Sequence, residues 1–495
     1  MSSIAPRTTL FIHATIITIN NDREIIRDGY LLVQDSRIAA IGKCPAPADI
    51  APDVTINCTG KIVLPGLINI HAHSVQSLLR GLAEDLPLHN WLCDAIWPLE
   101  SSYEGKDGYH AARLTIAEML KTGTTCFLDP MVTYRAGWES VCDALGEMGI
   151  RGCLGKLVKF SETNRQLSIT DPRDKDLLAM SIPALVSAHQ KHHGTHNNRL
   201  HVWAAAGTPR GAPASLYREL GEACAKNGIS MTMHCAEAPK DREIYHDLYG
   251  CSAMEFIRDT KLCSPAATNP GEEKSHNLVL AHMVNLDLDT DLSLLGATHT
   301  SVAHNPSSNL KIASGVAPVP AMLKAELGIT VGLGTDGAPC SNHYDMVQEM
   351  HLAAILHKGV CRDASVVGAE TALEMATIHG ARALGLENEI GSLEIGKKAD
   401  LVVVDPYGKG GLGAAPWDCE DEGGVSAITT VVHGCTGRDV DITMVDGRIL
   451  VADGQLLDGH EREIVHAAQT ASRGIRARCQ RNAERTSIQT SPRVD

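Results

Sequence analysis

The sequence lacks the features that mark membrane, secreted and nucleic-acid-binding proteins. It has no run of about eighteen apolar residues, the length that a membrane-spanning helix needs. The N-terminus, MSSIAPRTTLFIHATIITIN, has no basic segment, continuous apolar core or small-residue cleavage site of a secretory signal. It has no Lys- or Arg-rich run, and the formal net charge is −15. We therefore expect a soluble cytoplasmic protein with no membrane or nucleic-acid partner.

Closely spaced cysteine pairs are also absent. The 15 cysteines are scattered along 495 residues without a C-x-x-C pair. A chain of this length with 44% hydrophobic residues can bury a large core without disulfides. The pattern favours reduced thiols in the cytosol.

The two ends of the chain differ from its middle. Residues 1–65 and 386–470 contain short β-rich segments separated by Gly, Asp and Asn turns, such as TLFIHATIITI and GSLEIGKKADLVVVD. We expect these ends to pair into one small composite β-sandwich. Residues 471–495 are predicted to form a polar tail, a helix that fades into disorder.

In residues 66–385, apolar strand-like runs alternate with amphipathic helical patterns. Strands such as TTCFLD, SMTMHCAE and NLVLAHM are separated by helical segments such as GYHAARLTIAEMLKTG. Over roughly 300 residues this alternation favours an α/β fold, a (β/α)8 TIM-like barrel.

Histidines occur in two suggestive places. The stretch HQKHHGTHNNRLH, residues 189–201, is polar and His-rich, and a solvated loop is favoured there over a metal site. His71 and His73 end the apolar run LPGLINIHAH. Side chains two apart on a strand leave the same face, so the pair is either two metal ligands or two ordinary polar strand residues.

Polar residues at three further strand ends favour a metal site over two ordinary polar strand residues. His234 ends MTMH with Glu237 three residues later, His282 ends LVLAH, and Asp336 follows VGLGT. Strand ends converge at the C-terminal face of a barrel. Three imidazoles and one carboxylate suit zinc or another divalent ion with a position left for water, and the ligand set is His71, His73, His234 and Asp336.

Long motifs then identify a resemblance. PGLINIHAHSVQSLLRG, MHCAE, LAHM, AHNPSSNLKIASGVAPV and LGTDGAPCSNHYDM resemble the amidohydrolase superfamily, in its branch of 5-methylthioadenosine/S-adenosylhomocysteine deaminases and triazine hydrolases. The resemblance implies one divalent metal ion on the four ligands above, with Zn²⁺ expected and Fe²⁺ the alternative. It also implies a homodimer or larger homo-oligomer.

Glu237, His282 and Asp336 are the predicted catalytic residues. Glu237 would accept a proton from water and return it to the substrate, and its alternative role is to orient a ligand histidine. His282 would orient or deprotonate the water. Its alternative role is that of a fifth metal ligand. Asp336 would bind metal and also shuttle a proton.

Trp91, Glu100 and Arg210 are the predicted substrate-binding residues. By resemblance, Trp91 lines the pocket and Glu100 holds ribose hydroxyls, or is a helix-surface residue. Arg210 in GTPRGAP stands where the deaminases carry the histidine of PHS. Because arginine only donates hydrogen bonds, it suits an acceptor or anionic group.

The leading hypothesis is a metal-dependent hydrolytic deaminase of an aminated heterocycle. Purines or adenosine thioethers are its leading candidate substrates. The alternatives are a triazine amino- or chlorohydrolase, a cyclic amide hydrolase, and a catalytically silent scaffold of the same fold. A small heterocycle is the expected partner.

Overall fold

A computed structural model describes residues 8–161, 171–264, 276–408, 411–421 and 423–490. Eight consecutive parallel strands form the sheet of the barrel, in the order β6 to β13. Their bounds are β6 Leu67–Asn69, β7 Thr124–Val132, β8 Arg151–Val158, β9 Leu200–Ala206, β10 Met231–Cys235, β11 Leu278–His282, β12 Ser301–His304 and β13 Val331–Leu333. The predicted TIM-like barrel is confirmed.

The barrel closes between its first and last strands. The backbone N–H of Ile70 donates to the carbonyl of Leu333 at 3.0 Å, and that of Asp336 donates to the carbonyl of His71 at 2.8 Å. The strands read as near-continuous apolar runs because parallel strands are covered on both faces. Closure brings the ends of β6 and β13 together, and with them the first and last predicted ligands.

The two ends of the chain build a separate mixed sheet of nine strands, as expected. The strand order is β17-β16-β15-β14-β5-β1-β2-β3, with β4 beside β1. It encloses its own hydrophobic cluster, which includes Phe11, Leu31 and Leu401. The bounds are β1 Thr8–Ile17, β2 Ile25–Gln34, β3 Arg37–Lys43, β4 Val54–Asn57, β5 Ile62–Pro65, β14 Leu401–Val404, β15 Val440–Val445, β16 Arg448–Ala452 and β17 Gln455–Leu456.

Helices surround the barrel. The longer ones are Asp107–Lys121, Trp138–Met148, Ile182–His192, Ala214–Asn227, Ala253–Asp259, Leu288–Ala297, Met346–Cys361, Ala369–Met375, Ile378–Leu384 and Glu461–Thr490. Shorter helices are Leu88–Asn90, Trp97–Glu100, Thr195–Asn198, Pro239–Ile244, Pro306–Lys311, Val319–Met322, Ala338–Ser341 and Ala427–Thr429. A π-type turn, Trp91–Ile96, joins the first two short helices into one segment that reaches the site.

The segment from residue 471, predicted to be a polar tail that begins as a helix, is helical through Thr490. It is the second half of helix Glu461–Thr490, and residues 491–495 lie outside the described residues. Ile475 is fully buried, and the Ser472 hydroxyl donates to the carbonyl of Leu78 at 2.8 Å. The few apolar residues of this helix therefore dock it onto the barrel, a contact that its polar composition conceals.

The His-rich segment 189–201 is not one loop. It spans the end of helix Ile182–His192, the turn Thr195–Asn198 and the start of β9. The rings of His189 and His193 lie 4.4 Å apart and that of His201 lies 5.2 Å from His193. Among the described residues, no three metal-ligating side chains of this segment come together.

All 15 cysteines lie in the described residues, and each is a free thiol. The described helices include none with the length and apolar character that crossing a membrane requires.

A buried ion pair joins the barrel to the terminal sheet. Arg151 at the start of β8 donates from Nε and Nη2 to the carboxylate of Asp400 at 2.8 and 3.1 Å. Both side chains are at most 4% exposed. The backbone N–H of Asp446 donates to the same carboxylate at 2.7 Å.

We expect Arg151→Met to destabilise the fold by roughly 3–5 kcal/mol, because it leaves the Asp400 charge buried without its partner. A thermal unfolding scan checks this as a lower Tm. Arg218→Met is the matched control, since Arg218 lies at the surface and donates only to the carbonyl of Asp259. Equal Tm values for the two variants would contradict the expectation.

Candidate metal centre and active site

The predicted site residues converge at the C-terminal ends of the barrel strands. His234 lies within β10 and His282 ends β11, while Asp336 follows β13 by three residues. Strand β6 ends at Asn69, so His71 and His73 lie just beyond it and not on the strand itself. The two imidazoles still point into one space, with ring centroids 5.3 Å apart.

The spacing of the ligand atoms fits one tetrahedral ion. Oδ1 of Asp336 lies 3.3 Å from Nε2 of both His71 and His73. Nε2 of His73 lies 3.2 Å from Nε2 of His234. Two ligand atoms about 2.0–2.2 Å from zinc at a tetrahedral angle lie about 3.3–3.6 Å apart. The three distances are at or just below the short end of this range, as expected for side chains that surround one zinc ion.

The protonation state of the histidines in this cluster also suits binding of a cation. Nε2 of His71 is buried and has no hydrogen-bond partner among the described residues. Burial lowers the pKa of His71 to about 4 and that of His234 well below its usual range. The two imidazoles are thus neutral at neutral pH, with a lone pair available to a metal.

Asp336 is held in place from both sides of its carboxylate. The Ser308 hydroxyl donates to Oδ2 at 2.6 Å, and the backbone N–H of Gly337 donates to Oδ1 at 2.7 Å. Burial opposes ionisation, yet the neighbouring His71 and His73 outweigh it and keep the pKa of Asp336 well below its usual range. Its φ of 63° lies in the left-handed region, where a non-glycine residue is strained.

Glu237 and His282, two of the predicted catalytic residues, lie beside the predicted ligands. Oε2 of Glu237 lies 3.7 Å from Nε2 of His282, which is 3.9 Å from Oδ2 of Asp336. Burial raises the pKa of Glu237 to about 7. Nδ1 of His282 lies 2.8 Å from the Asn309 amide oxygen and 3.3 Å from the Asn305 amide nitrogen. In the tautomer that donates from Nδ1 to the Asn309 oxygen, Nε2 faces the site as an acceptor.

A cavity opens above the cluster, with about 670 Å³ of empty volume, part of it open to solvent. Trp91, Glu100 and Arg210 all line it together with His73 and Glu237. Glu100 is 2% exposed and is not a helix-surface residue. Its Oε1 accepts from Gln76 at 2.9 Å and its Oε2 from Arg173 at 3.1 Å.

The sequence did not point to Arg173 or Trp97, which also line the cavity. The guanidinium of Arg173 lies 4.9 Å from the centroid of the Trp97 ring. Arg173 lies between β8 and helix Ile182–His192, in a stretch of sequence where no periodicity or motif marks a functional residue. Only the charge pair DPR at 171–173 could have drawn attention to it.

Two other groups of metal-ligating side chains occur among the described residues. Glu237, His282 and Asp336 extend the cluster already described, and His13, Asp28 and Cys44 lie at the surface of the terminal sheet.

Comparisons with known proteins agree with this geometry. Residues 62–450 match the sequence profile of the amidohydrolase family. A 5-methylthioadenosine/S-adenosylhomocysteine deaminase of Moorella thermoacetica is 34% identical over 452 residues, which cover 90% of this chain and 95% of the relative.

Two solved structures are also similar. An adenosine deaminase from Xanthomonas campestris with bound zinc is 26% identical, with a TM-score of 0.80 and coverage of 95% of this chain and 98% of that one. An atrazine chlorohydrolase from Arthrobacter aurescens TC1 complexed with zinc is 21% identical, with a TM-score of 0.77 and coverage of 94% and 100%. The similarity to the atrazine chlorohydrolase shows a shared fold and no more.

Proposed function

The chain belongs to the amidohydrolase family, and on that premise we propose that it is a metal-dependent hydrolytic deaminase of an aminated heterocycle. The observation that carries the proposal is the cluster of His71, His73, His234 and Asp336, whose ligand atoms lie within 4.8 Å of one another, beside the buried acid Glu237. The named deaminases among its relatives support the same reaction.

We propose one Zn²⁺ per chain on these four residues. A divalent ion bound there would act as a Lewis acid and would lower the pKa of water from ~15.7 towards ~7. The zinc-bound adenosine deaminase to which the chain is similar supports the choice of metal.

Glu237 then carries the protons. A carboxyl group with a pKa of about 7 can both accept a proton from water and donate one at neutral pH. Glu237 takes one proton from the attacking water and delivers it to the ring nitrogen. It then passes the second proton, from the newly added hydroxyl, to the amine, which departs as ammonia. His282 accepts a hydrogen bond from the water through Nε2, fixed in that orientation by Asn309.

Substrate contacts come from the cavity wall. Trp91 is 4% exposed, and its indole N–H has no partner among the described residues. We propose that this N–H and the Glu100 carboxylate contact the substrate. Since Glu100 is already paired with Arg173, its capacity to bind two ribose hydroxyls is reduced. Heterocycles without ribose are therefore included in the substrate class.

Removal of the metal should abolish activity. We expect protein treated with a chelator to release no ammonia from amino-purines, pterins or amino-triazines, and Zn²⁺ to restore the release. Full activity in metal-free protein would contradict the proposal. A catalytically silent scaffold predicts instead that wild type and Glu237→Ala are equally inactive on every compound.

We also propose a homodimer or larger homo-oligomer in the cytoplasm. The free cysteines, of which Cys361 is exposed, support a reducing compartment. Light scattering during gel filtration tests the assembly, and a mass near 52.9 kDa would identify a monomer.

A further inference from the structure

Among the described residues, three cationic side chains line the active-site cavity, and two of them have carboxylate partners. Arg173 pairs with Asp171 at 2.8 Å and with Glu100 at 3.1 Å. Lys159 lies 3.3 Å from Asp171. The third cation, Arg210, is different.

Arg210 has neither a hydrogen bond nor an ion pair with any residue in the described ranges of the chain. The residue is 7% exposed, and its Nε is buried without a partner. Its guanidinium lies 5.7 Å from the centroid of the Trp97 ring, a weak attraction compared with a charged partner. A guanidinium keeps its charge in proteins, and a buried charge without a partner is costly.

Two carboxylates that line the cavity, those of Glu100 and Glu237, face other groups. Both oxygens of Glu100 accept hydrogen bonds from Gln76 and Arg173. Glu237 faces His282. The described residues therefore leave the Arg210 guanidinium without a hydrogen-bond acceptor, and a ligand in the cavity that it lines can supply one.

We propose that the substrate carries an oxygen acceptor, either a ring carbonyl or a carboxylate, and that Arg210 binds this oxygen. The proposal rests on the deaminase function and narrows its substrate class. A guanidinium fork matches planar oxygen acceptors and makes charge-assisted hydrogen bonds with them. Arg210 is then the residue that selects oxo- or carboxylate-bearing amino-heterocycles over amino-heterocycles that offer only ring nitrogens.

Binding to matched ligand pairs tests the proposal. Calorimetry uses zinc-loaded Glu237→Gln protein, which should bind ligands without turning them over. One pair is 2-amino-6-oxopurine and 2-aminopurine, which tests the ring carbonyl. The other is 4-aminopyrimidine with and without a 5-carboxylate, which tests the carboxylate.

We expect the oxygen-bearing member of at least one pair to bind at least about 10-fold more tightly, the factor of a charged hydrogen bond. Adding Arg210→Met should reduce the preference to within about threefold. Arg210→Lys, which keeps the charge but not the fork, should retain part of it. Adding the surface change Arg218→Met should leave the preference intact. Zinc content and Tm verify that each variant is folded.

The proposal is overturned if both members of each pair bind equally, if neither pair binds, or if the preference survives in Arg210→Met. The deaminase function fails separately. If wild type releases no ammonia from any of these compounds while the Arg210-dependent preference persists, the binding inference stands and the reaction assignment does not.

Discussion

Glu237→Gln should keep its metal and its ligand binding and lose about 10²–10⁴-fold or more in kcat, the contribution of a general acid–base group. The amide nearly preserves the size of the side chain and removes only the group that titrates. A fall within or beyond this range is expected, because Glu237 is assigned several proton transfers and not one. Steady-state ammonia release and metal analysis of the same preparation measure both quantities.

Glu243→Gln is the matched control, because Glu243 lies at the surface, paired with Lys240 at 2.7 Å. It should match wild type. If Glu237→Gln loses its metal, then Glu237 supports a ligand and is not the proton carrier. If turnover stays within a few-fold of wild type, His282 or Asp336 must be the base.

His71→Ala and Asp336→Asn should each reduce the bound metal from about one ion per chain to almost none and abolish ammonia release. The physical reason is that each removes one of four ligands. Asp336→Asn also replaces the only anionic ligand of the set with a neutral amide, which leaves the ion's charge less compensated. Elemental analysis after dialysis against dilute chelator is the measurement.

His460→Ala controls for removal of a histidine, because His460 is 56% exposed beside Glu463. The surface group of His13, Asp28 and Cys44 could add a second ion to the count. The analysis is therefore repeated in a Cys44→Ser background. Two ions per active chain in that background would contradict a mononuclear site, and one ion retained by Asp336→Asn would contradict its role as a ligand.

The sequence was sufficient to predict the barrel. It was also sufficient to predict that six polar residues converge at one end of it, namely His71, His73, His234, Glu237, His282 and Asp336. Strand ends are marked by a change from apolar runs to polar residues, and parallel strands of a barrel all end on the same face. His234, His282 and Asp336 could thus be placed together although about fifty residues separate each from the next. The end of β6 was placed too late because the apolar run continues through Ile70 beyond the last strand residue, Asn69.

Other features depend on contacts that no local pattern records. Helix Glu461–Thr490 is polar in composition, yet Arg478 donates to the carbonyl of Ser102 at 2.8 Å and the helix docks beside Asp107–Lys121. The pairing of Glu100 with Arg173 joins residues 73 positions apart. Such long-range pairs are determined by how the loops above the barrel fold, which periodicity does not predict.

The most direct test of hydrolytic deamination is the fate of water oxygen. Zinc-loaded protein is incubated with an oxo-bearing amino-heterocycle in water enriched in the heavy oxygen isotope, and the product is analysed by mass spectrometry. We predict one ammonia released per product and one heavy oxygen on the carbon that carried the amine. Product formed without solvent oxygen, or no ammonia from zinc-loaded wild type on any amino-heterocycle, would contradict the account.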